Sequence, residues 1–208
     1  MLLEYAISAL ITLFVVVDPI AMAPTFLVVT TGMPRQSRKS VAVRASVIAG
    51  AILVGTALIG DRLLTVLEIS LPAFRIAGGL LLFWIAAEMV FGVRSRHEGQ
   101  EAELAIEERV RNVAAFPLGV PLLAGPGAIT ATVLLAGQAD DNLLRLGVLV
   151  AVIVVVAGLC LVAFFFAERI SGLLGMTGNI VLSRLLGVLL AALAVQYVVD
   201  GIRATLAA

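Results

Sequence analysis

Two proline pairs with the same spacing are the residues of this sequence best suited to form a binding site. Pro19 and Pro24 lie in one apolar stretch, and Pro121 and Pro126 lie in another about half a chain later. A proline inside a helix removes a backbone hydrogen bond and clashes with the preceding turn, so each pair predicts a broken helix. Unpaired backbone groups inside a membrane are costly unless protein or a water-filled cavity satisfies them. The two breaks therefore predict a site for a small ligand at mid-membrane.

Asp18, next to the first proline pair, is the strongest candidate for ligand contact. A carboxylate near the middle of a spanning helix costs about 3 kcal/mol, so it should face protein or water. It can contact a ligand or cation, it can cap the half-helix that begins at Pro19, or it can do both. Val120 occupies the matching position in the second copy. A break therefore does not need an aspartate as its cap, and the one-sided charge favours a functional role.

Glycines and threonines surround the breaks. Gly125 and Gly127 flank Pro126, and this low helix propensity predicts open backbone amides and carbonyls. Thr25 and Thr130 can offer hydroxyl groups beside the two breaks. With a half-helix N-terminus facing a carboxylate, these groups would suit a zwitterion such as a small amino acid. The alternative is two structural kinks lined by packing threonines. The predicted substrate-binding set is Asp18, Pro19, Pro24, Thr25, Pro121, Gly125, Pro126, Gly127 and Thr130.

Four further polar residues are possible ion-pair or gating groups. Arg75 and Arg184 lie about a turn inside the third and sixth predicted helices, where long side chains can reach the membrane surface. Their matching positions also allow ion pairs, to Asp18 or to the opposite half. Glu88 lies about four turns after Arg75, and Gln196 lies at nearly the matching place in the sixth helix.

Composition places the chain in a membrane. The 208 residues are 62% hydrophobic and 13% charged, with a mean hydropathy of +1.14. A water-soluble domain does not tolerate such a surface, so a polytopic membrane protein is predicted. Lysine plus arginine equals aspartate plus glutamate, at 14 each, which leaves no basic excess for a nucleic-acid partner. Cys160 is the sole cysteine, so an intrachain disulfide is excluded.

Signatures of enzymes and metal sites are absent from the sequence. It contains no Gly-x-Ser-x-Gly, His-Glu-x-x-His or Walker motif. The sole histidine, His97, falls in a charged stretch, where a solvated side chain without a metal role is expected. The sequence therefore predicts a protein that is not an enzyme and holds no cofactor or metal. Whether a proton or sodium ion is coupled to its function is not indicated.

Six apolar segments have lengths near the ~20 residues that a helix needs to cross a bilayer, at roughly 5–31, 41–60, 72–93, 113–137, 143–167 and 180–202. They divide into a first three-helix repeat, residues 1–93, and a second, residues 113–208. A charged connector, residues 94–112, joins the two.

The distribution of lysine and arginine predicts the orientation of these helices. One side collects Arg35, Arg38, Lys39, Arg44, Arg94, Arg96, Arg109, Arg111, Arg169 and Arg184, and the other has Arg62, Arg75, Arg145 and Arg203. The richer side should be cytoplasmic, so both termini should lie outside. Tyr5 and Tyr197 would then mark the outer interface, and residues 164–166 the inner one, as aromatic belts do.

The repeat extends beyond the prolines. Arg75 is followed by glycines and leucines in the third helix, as Arg184 is in the sixth, and Gly92 and Gly201 each lie seventeen residues after these arginines. A duplicated unit with an odd number of crossings enters the membrane from opposite faces. We therefore predict an all-α membrane protein of six helices arranged as a 3+3 inverted-topology repeat, with the first and fourth helices broken at the proline pairs.

The sequence resembles the MarC family of integral membrane proteins. The resemblance covers nearly the whole chain and rests on four motifs: Asp18-Pro19 with Pro24, residues 71–79 (LPAFRIAGG), Phe116-Pro117-Leu118 with Pro121 and residues 124–127 (AGPG), and residues 183–187 (SRLLG). It implies six helices in a bacterial or archaeal inner membrane, with outward termini. Some relatives are described as transporters of small neutral amino acids such as glycine, alanine and serine.

Three functions follow as hypotheses. The first is a secondary transporter of a small polar solute, a neutral amino acid, with one half of the protein rocking against the other in the lipid bilayer. The alternative is a non-transporting membrane scaffold or assembly factor, which predicts a dry and filled midplane. A passive channel ranks last, since no ring of charge supports it. Self-association is compatible with each, and the sequence does not define an oligomeric state.

Overall fold

The computed structural model describes residues 2–93, 112–139 and 142–206. Every regular element in these ranges is helical, which confirms the all-α prediction. The helices are α1 (Leu2–Val17), α2 (Met22–Val29), α3 (Arg35–Val66), α4 (Leu71–Phe91), α5 (Ala114–Leu123), α6 (Pro126–Gly137), α7 (Leu143–Phe165) and α8 (Ala167–Leu206). Apart from Asn112, the predicted connector at 94–112, with His97, lies outside the described residues.

Two apolar segments of the bundle are bent helix pairs, and the bends fall where the proline pairs predicted them. In the described ranges, α3, α4, α7 and the Thr177–Leu206 part of α8 are each long and apolar enough to span a membrane. Helix α1 is bent by 43° from α2, and α5 by 57° from α6. If each bent pair counts as one span, the number of crossings rises from four to six.

Each bent pair runs from one end of the bundle to the other. The Tyr5 hydroxyl donates a hydrogen bond of 2.8 Å to the carbonyl oxygen of Leu135, near the end of α6. In the second half of α2, the Phe26 ring stacks on Phe164, near the end of α7, with ring centroids 4.5 Å apart. Helix α7 spans the whole bundle between these levels. The α1–α2 pair is therefore a kinked crossing and does not turn back.

The α5–α6 pair also continues in one direction. Along α3, Ile48 contacts Gly119 of α5, and Gly60 contacts Val133 of α6. At the end of α6, Gly137 packs on Leu71, which begins α4. The second broken pair therefore ascends beside α3 and is a kinked crossing as well.

Helices α4 and α8 make the most extensive contact in the bundle. They approach through glycines: a Cβ atom added to Gly79 would lie 2.7 Å from the carbonyl oxygen of Ala194. A Cβ atom added to Gly187 would lie 3.1 Å from the carbonyl oxygen of Ala86. Small residues allow two membrane helices to pack backbone against backbone, which holds these two together without a hydrophobic driving force.

Candidate site between the two broken helices

The first break is centred on Asp18. Helix α1 ends at Val17, and Asp18 has a φ of 50°, in the left-handed region that aspartate tolerates better than most residues. The backbone remains hydrogen-bonded across the break, since Asp18 N–H donates to Phe14 O (2.9 Å) and Met22 N–H donates to Asp18 O (3.2 Å). The chain therefore changes direction at Asp18 while the N–H and C=O of that residue remain paired.

The Asp18 carboxylate is buried, with 2% of the residue exposed, and it faces two elements. Its Oδ1 accepts a hydrogen bond of 3.3 Å from the backbone N–H of Ala21, just before α2 begins. Its Oδ2 accepts one of 3.1 Å from the Ser183 hydroxyl of α8. Asp18 therefore closes the turn that precedes α2, which begins at Met22 and not at Pro19 as expected and has no side-chain cap of its own, and its second oxygen accepts a hydrogen bond from α8.

The second break has a different construction. Phe116 and Val120 have extended backbones inside α5, each directly before a proline. Gly125 precedes α6, and in the described ranges no side chain caps this helix start. The first backbone bond of α6 is donated by Ile129 N–H to Gly125 O (3.0 Å). The N–H groups of Gly127 and Ala128 precede that bond, so the positive end of α6 is open to an acceptor.

The two breaks adjoin in the middle of the bundle. A Cβ atom added to Gly127 would lie 3.3 Å from Cγ1 of Val16 and 2.5 Å from Cδ1 of Ile85. Val16 lies two residues before Asp18, and Gly127 is the second residue of α6. The structure therefore packs the end of α1, two residues before Asp18, against the uncapped start of α6.

The two prolines of each pair occupy different positions relative to the break. Pro19 is buried just after α1, and Pro121 lies inside α5. Pro24 is the third residue of α2, and Pro126 is the first residue of α6, where its side chain is exposed. The second proline of each pair thus falls in the first turn of a half-helix, where no backbone N–H is needed, and does not itself interrupt it.

The two threonines are both buried, but in different surroundings. Thr25 is 9% exposed on α2, and Thr130 is 7% exposed on α6. The Thr130 methyl group packs on Gly78 of α4. Thr130 also lines a lateral, mostly apolar cleft of about 510 Å³ between α3, α4 and α6, together with Thr56 and Phe74. It therefore lies against the helix-packing surface as well as beside the break.

The possible gating residues occupy two different environments. The Nε atom of Arg75 is buried without a hydrogen-bond partner, and the Arg75 side chain begins next to Gly201 of α8. The Arg184 guanidinium approaches Gly92 at the end of α4. Glu88 instead accepts a hydrogen bond of 2.9 Å from the Trp84 indole. Gln196 is exposed and donates one of 2.8 Å to Asp200 on its own helix.

Sequence reasoning missed Ser183 and the burial of two tyrosines. Ser183 directly precedes the Arg184 motif, which is the signal that could have found it. Tyr5 and Tyr197 are only 8% and 6% exposed, so their side chains face the inside of the bundle and not the lipid, as those of an aromatic belt would. The hydrogen bond from the Tyr5 hydroxyl to the Leu135 carbonyl explains why Tyr5 can be buried, since a tyrosine is stable in a core when its hydroxyl has a partner.

Two cavities lie at opposite ends of the bundle. One, of about 330 Å³, lies between the end of α2, the start of α3 and the α7–α8 junction. The other, of about 310 Å³, lies between the end of α3, the start of α4 and the α6–α7 turn. Asp18 lines neither of them, nor the lateral cleft. In this conformation the carboxylate is therefore closed off from these three spaces.

Comparison with known proteins supports the family resemblance. The model of the MarC family of integral membrane proteins matches residues 3–206. A UPF0056 membrane protein of Methanocaldococcus jannaschii is 37% identical over 98% of both chains. One of Aquifex aeolicus is 33% identical over 95% of this chain and 92% of its own, and one of Escherichia coli is 32% identical over 93% and 89%. No solved structure matches the chain significantly. The chain, with its two proline-broken crossings, therefore belongs to the MarC family of integral membrane proteins.

Proposed function

We propose that this multi-pass membrane protein is a secondary transporter of a small polar solute, a neutral amino acid, and not an enzyme. The observation that carries the proposal is the contact of Val16, two residues before the buried Asp18, with Gly127 at the uncapped start of α6. The Asp18 carboxylate attracts a cation, and the N-terminus of α6 attracts an anion. A zwitterion presents both charges a few ångströms apart, so it matches the pair better than a singly charged solute does.

The contacts of the solute follow from this polarity. Its carboxylate would accept hydrogen bonds from the N–H groups of Gly127 and Ala128, at the positive end of α6. Its ammonium would face Asp18, and Thr25 and Thr130 would offer further polar contacts. Close packing of Gly127 on Val16 and Ile85 leaves little room for a cargo side chain. Glycine, alanine and serine are therefore the first candidates.

The proposed transport cycle uses an inverted repeat of two three-helix halves. Seventeen residues separate Arg75 from Gly92 in α4 and Arg184 from Gly201 in α8. Arg184 approaches Gly92, and Arg75 approaches Gly201, so each arginine meets the glycine of the opposite half. This reciprocal pairing is what a twofold axis between α4 and α8 would produce. It supports rocking of one half against the other as the means of alternating access.

The orientation within the membrane is part of the same proposal. The described lining of the cavity at the end of α2 includes four basic residues, Arg35, Arg38, Lys39 and Arg169. The described lining of the opposite cavity includes one, Arg62. By the positive-inside rule, the first end is cytoplasmic and both termini face outward across a bacterial or archaeal inner membrane. The Phe26–Phe164 stack would then close the inner side, and the buried Tyr5 and Tyr197 the outer side.

The scaffold hypothesis keeps one observation in its favour. Asp18, Thr25 and Thr130 are each at most 9% exposed, which is the filled midplane that a non-transporting protein would have. The two hypotheses differ in what happens to a solute. A transporter must exchange it between the two sides, and a scaffold leaves it where it is.

Counterflow in proteoliposomes tests the transport hypothesis without knowledge of the coupling ion. Vesicles containing purified protein are loaded with unlabelled glycine, alanine or serine and diluted into trace labelled solute. Saturable accumulation of label is expected for at least one of these amino acids. A folded preparation that gives no counterflow across a broad panel of small neutral solutes would contradict the proposal.

Two substitutions of Asp18 separate its roles. Asp18→Ala removes both hydrogen-bond acceptors, and counterflow is expected to fall to background. Asp18→Asn keeps an oxygen for the Ala21 N–H but loses the charge, so the protein should remain folded while its KM rises about tenfold. Unchanged counterflow kinetics in both folded variants would remove Asp18 from the binding site.

A further inference from the structure

The cavity at the end of α2 combines a charged mouth with an aromatic floor. Its cations are Arg35, Arg38 and Lys39 from the first turns of α3, and Arg169 from the first turn of α8. Its floor and wall are Phe26, Leu27 and residues 164–166. Among the described residues that line it, Glu168 is the only acidic one, so four positive charges face one negative charge.

One of these cations is already committed to the protein. The Arg38 guanidinium forms a 3.0 Å ion pair with Glu168 and donates a 3.3 Å hydrogen bond to the carbonyl oxygen of Thr30. These contacts tie α3 to α8 and to the end of α2. Arg38 is therefore fixed in place, and its partner cancels one of the four positive charges.

The remaining cations are available to a ligand. Arg35 and Lys39 are exposed and lie four residues apart, on the same face of α3. The Arg169 guanidinium lies 5.6 Å from the centre of the Phe166 ring. Within the described ranges, Arg35, Lys39 and Arg169 form no ion pair. The first turns of α3 and α8 add the positive ends of two helices to the same space.

The aromatic wall distinguishes a lipid from a soluble anion. Phe165 and Phe166 are 49% and 47% exposed, and neighbouring Val28 is 41% exposed. In a membrane protein such side chains face acyl chains, so the cavity opens toward the bilayer. A soluble phosphate has no use for this surface, whereas a phospholipid places a phosphate directly above apolar chains.

We propose that this cavity binds the phosphate headgroup of an anionic phospholipid. Arg35, Lys39 and Arg169 would contact the phosphate oxygens, and the glycerol and upper acyl chain would lie along Phe165 and Phe166. The site is separate from the Asp18 region, and its occupancy does not depend on whether the protein transports a solute.

Native mass spectrometry of the full chain in detergent tests the site. The protein is titrated with dioleoyl phosphatidylglycerol or with dioleoyl phosphatidylcholine, which has the same chains and no net charge. The Arg35→Gln/Lys39→Gln variant is compared with Arg62→Gln/Arg203→Gln, which removes two positive charges from the opposite end. Phosphatidylglycerol binding is expected to weaken at least about tenfold in the first variant and less than about twofold in the control.

A third variant and a soluble probe complete the test. Glu168→Gln removes the only acidic group and frees Arg38, so phosphatidylglycerol should bind about fivefold more tightly. Inorganic phosphate and glycerol 3-phosphate should not displace the lipid at millimolar concentration. Equal losses in both double variants, or equal binding of the two lipids, would overturn the site. Displacement by inorganic phosphate would overturn the lipid as its ligand.

Discussion

The two breaks share a proline spacing but differ in almost every local feature. Asp18 is buried, left-handed and hydrogen-bonded to α8, whereas Val120, its counterpart in the sequence, is extended and 38% exposed. At the first break the Asp18 carboxylate accepts a hydrogen bond in the turn before α2, and at the second no described side chain accepts one at the start of α6. Breaking a helix thus does not require an aspartate. The charge of Asp18 is not needed to break the helix, and for this reason we connect it with binding.

Transfer of the charge to the second break should produce the largest effect. Val120→Asp places a carboxylate on a side chain that is partly exposed at the surface of a membrane helix bundle. We expect a loss of about 3 kcal/mol in the free energy of unfolding, without gain of counterflow. Unfolding by SDS measures it, and Val120→Ala, which adds no charge, is the matched control. A stable Val120→Asp protein would mean that the two positions are interchangeable.

The fold at the second break should depend on the absence of a side chain at Gly125. A Cβ atom on Gly125 would clash with the carbonyl oxygen of Pro121, a backbone atom that cannot move aside alone. Gly125→Ala is therefore expected to cost about 2 kcal/mol of unfolding free energy. Gly158→Ala in α7 is the control, because nothing lies within 4 Å of its added atom. The control should be neutral or more stable by about 0.5 kcal/mol. Equal effects of the two substitutions would show that the turn tolerates a Cβ atom.

The tertiary contact of the first break should produce the smallest effect. Ser183→Ala removes the hydrogen bond to Asp18 Oδ2, and a bond to a charged group contributes about 1.5 kcal/mol. Ser171→Ala, in the part of α8 before the interruption at Gly175, removes a buried hydroxyl that has no partner and should leave stability unchanged or raised. Thermal unfolding of the two variants in one detergent compares them. A Ser183→Ala protein as stable as Ser171→Ala would show that the Asp18 contact contributes nothing to the fold.

Local patterns predicted the positions of the breaks well. Proline acts through its own ring and its missing N–H, so its effect is visible in the sequence around Pro19 and Pro121. The ends of the helices were predicted less accurately. Helix α3 runs over Arg35–Val66, beyond the apolar segment near 41–60, because helical hydrogen bonds continue through polar residues where hydropathy falls. In α8 the helical backbone is interrupted at Gly175, and the apolar part that follows, Thr177–Leu206, begins close to the predicted segment near 180.

The candidate site was only partly predictable. Asp18 was identified because a buried charge is rare in an apolar run, and that argument needs no partner. Ser183 lies 165 residues away from it, and no local pattern indicates that the two side chains meet. Burial of Tyr5 and Tyr197 was missed for the same reason. A tyrosine near a helix end fits an interface belt until a distant carbonyl, here that of Leu135, provides its hydroxyl with a partner.

The glycine contacts between α4 and α8 limit how the protein can move. Because Gly79 and Gly187 bring the two backbones together, sliding one helix along the other would drive side chains into main-chain atoms. The pair can then serve as a pivot, and displacement grows with distance from it. The half-helices next to Asp18 and Gly125 are already separated by bends, so any opening of the bundle would be concentrated at these bends.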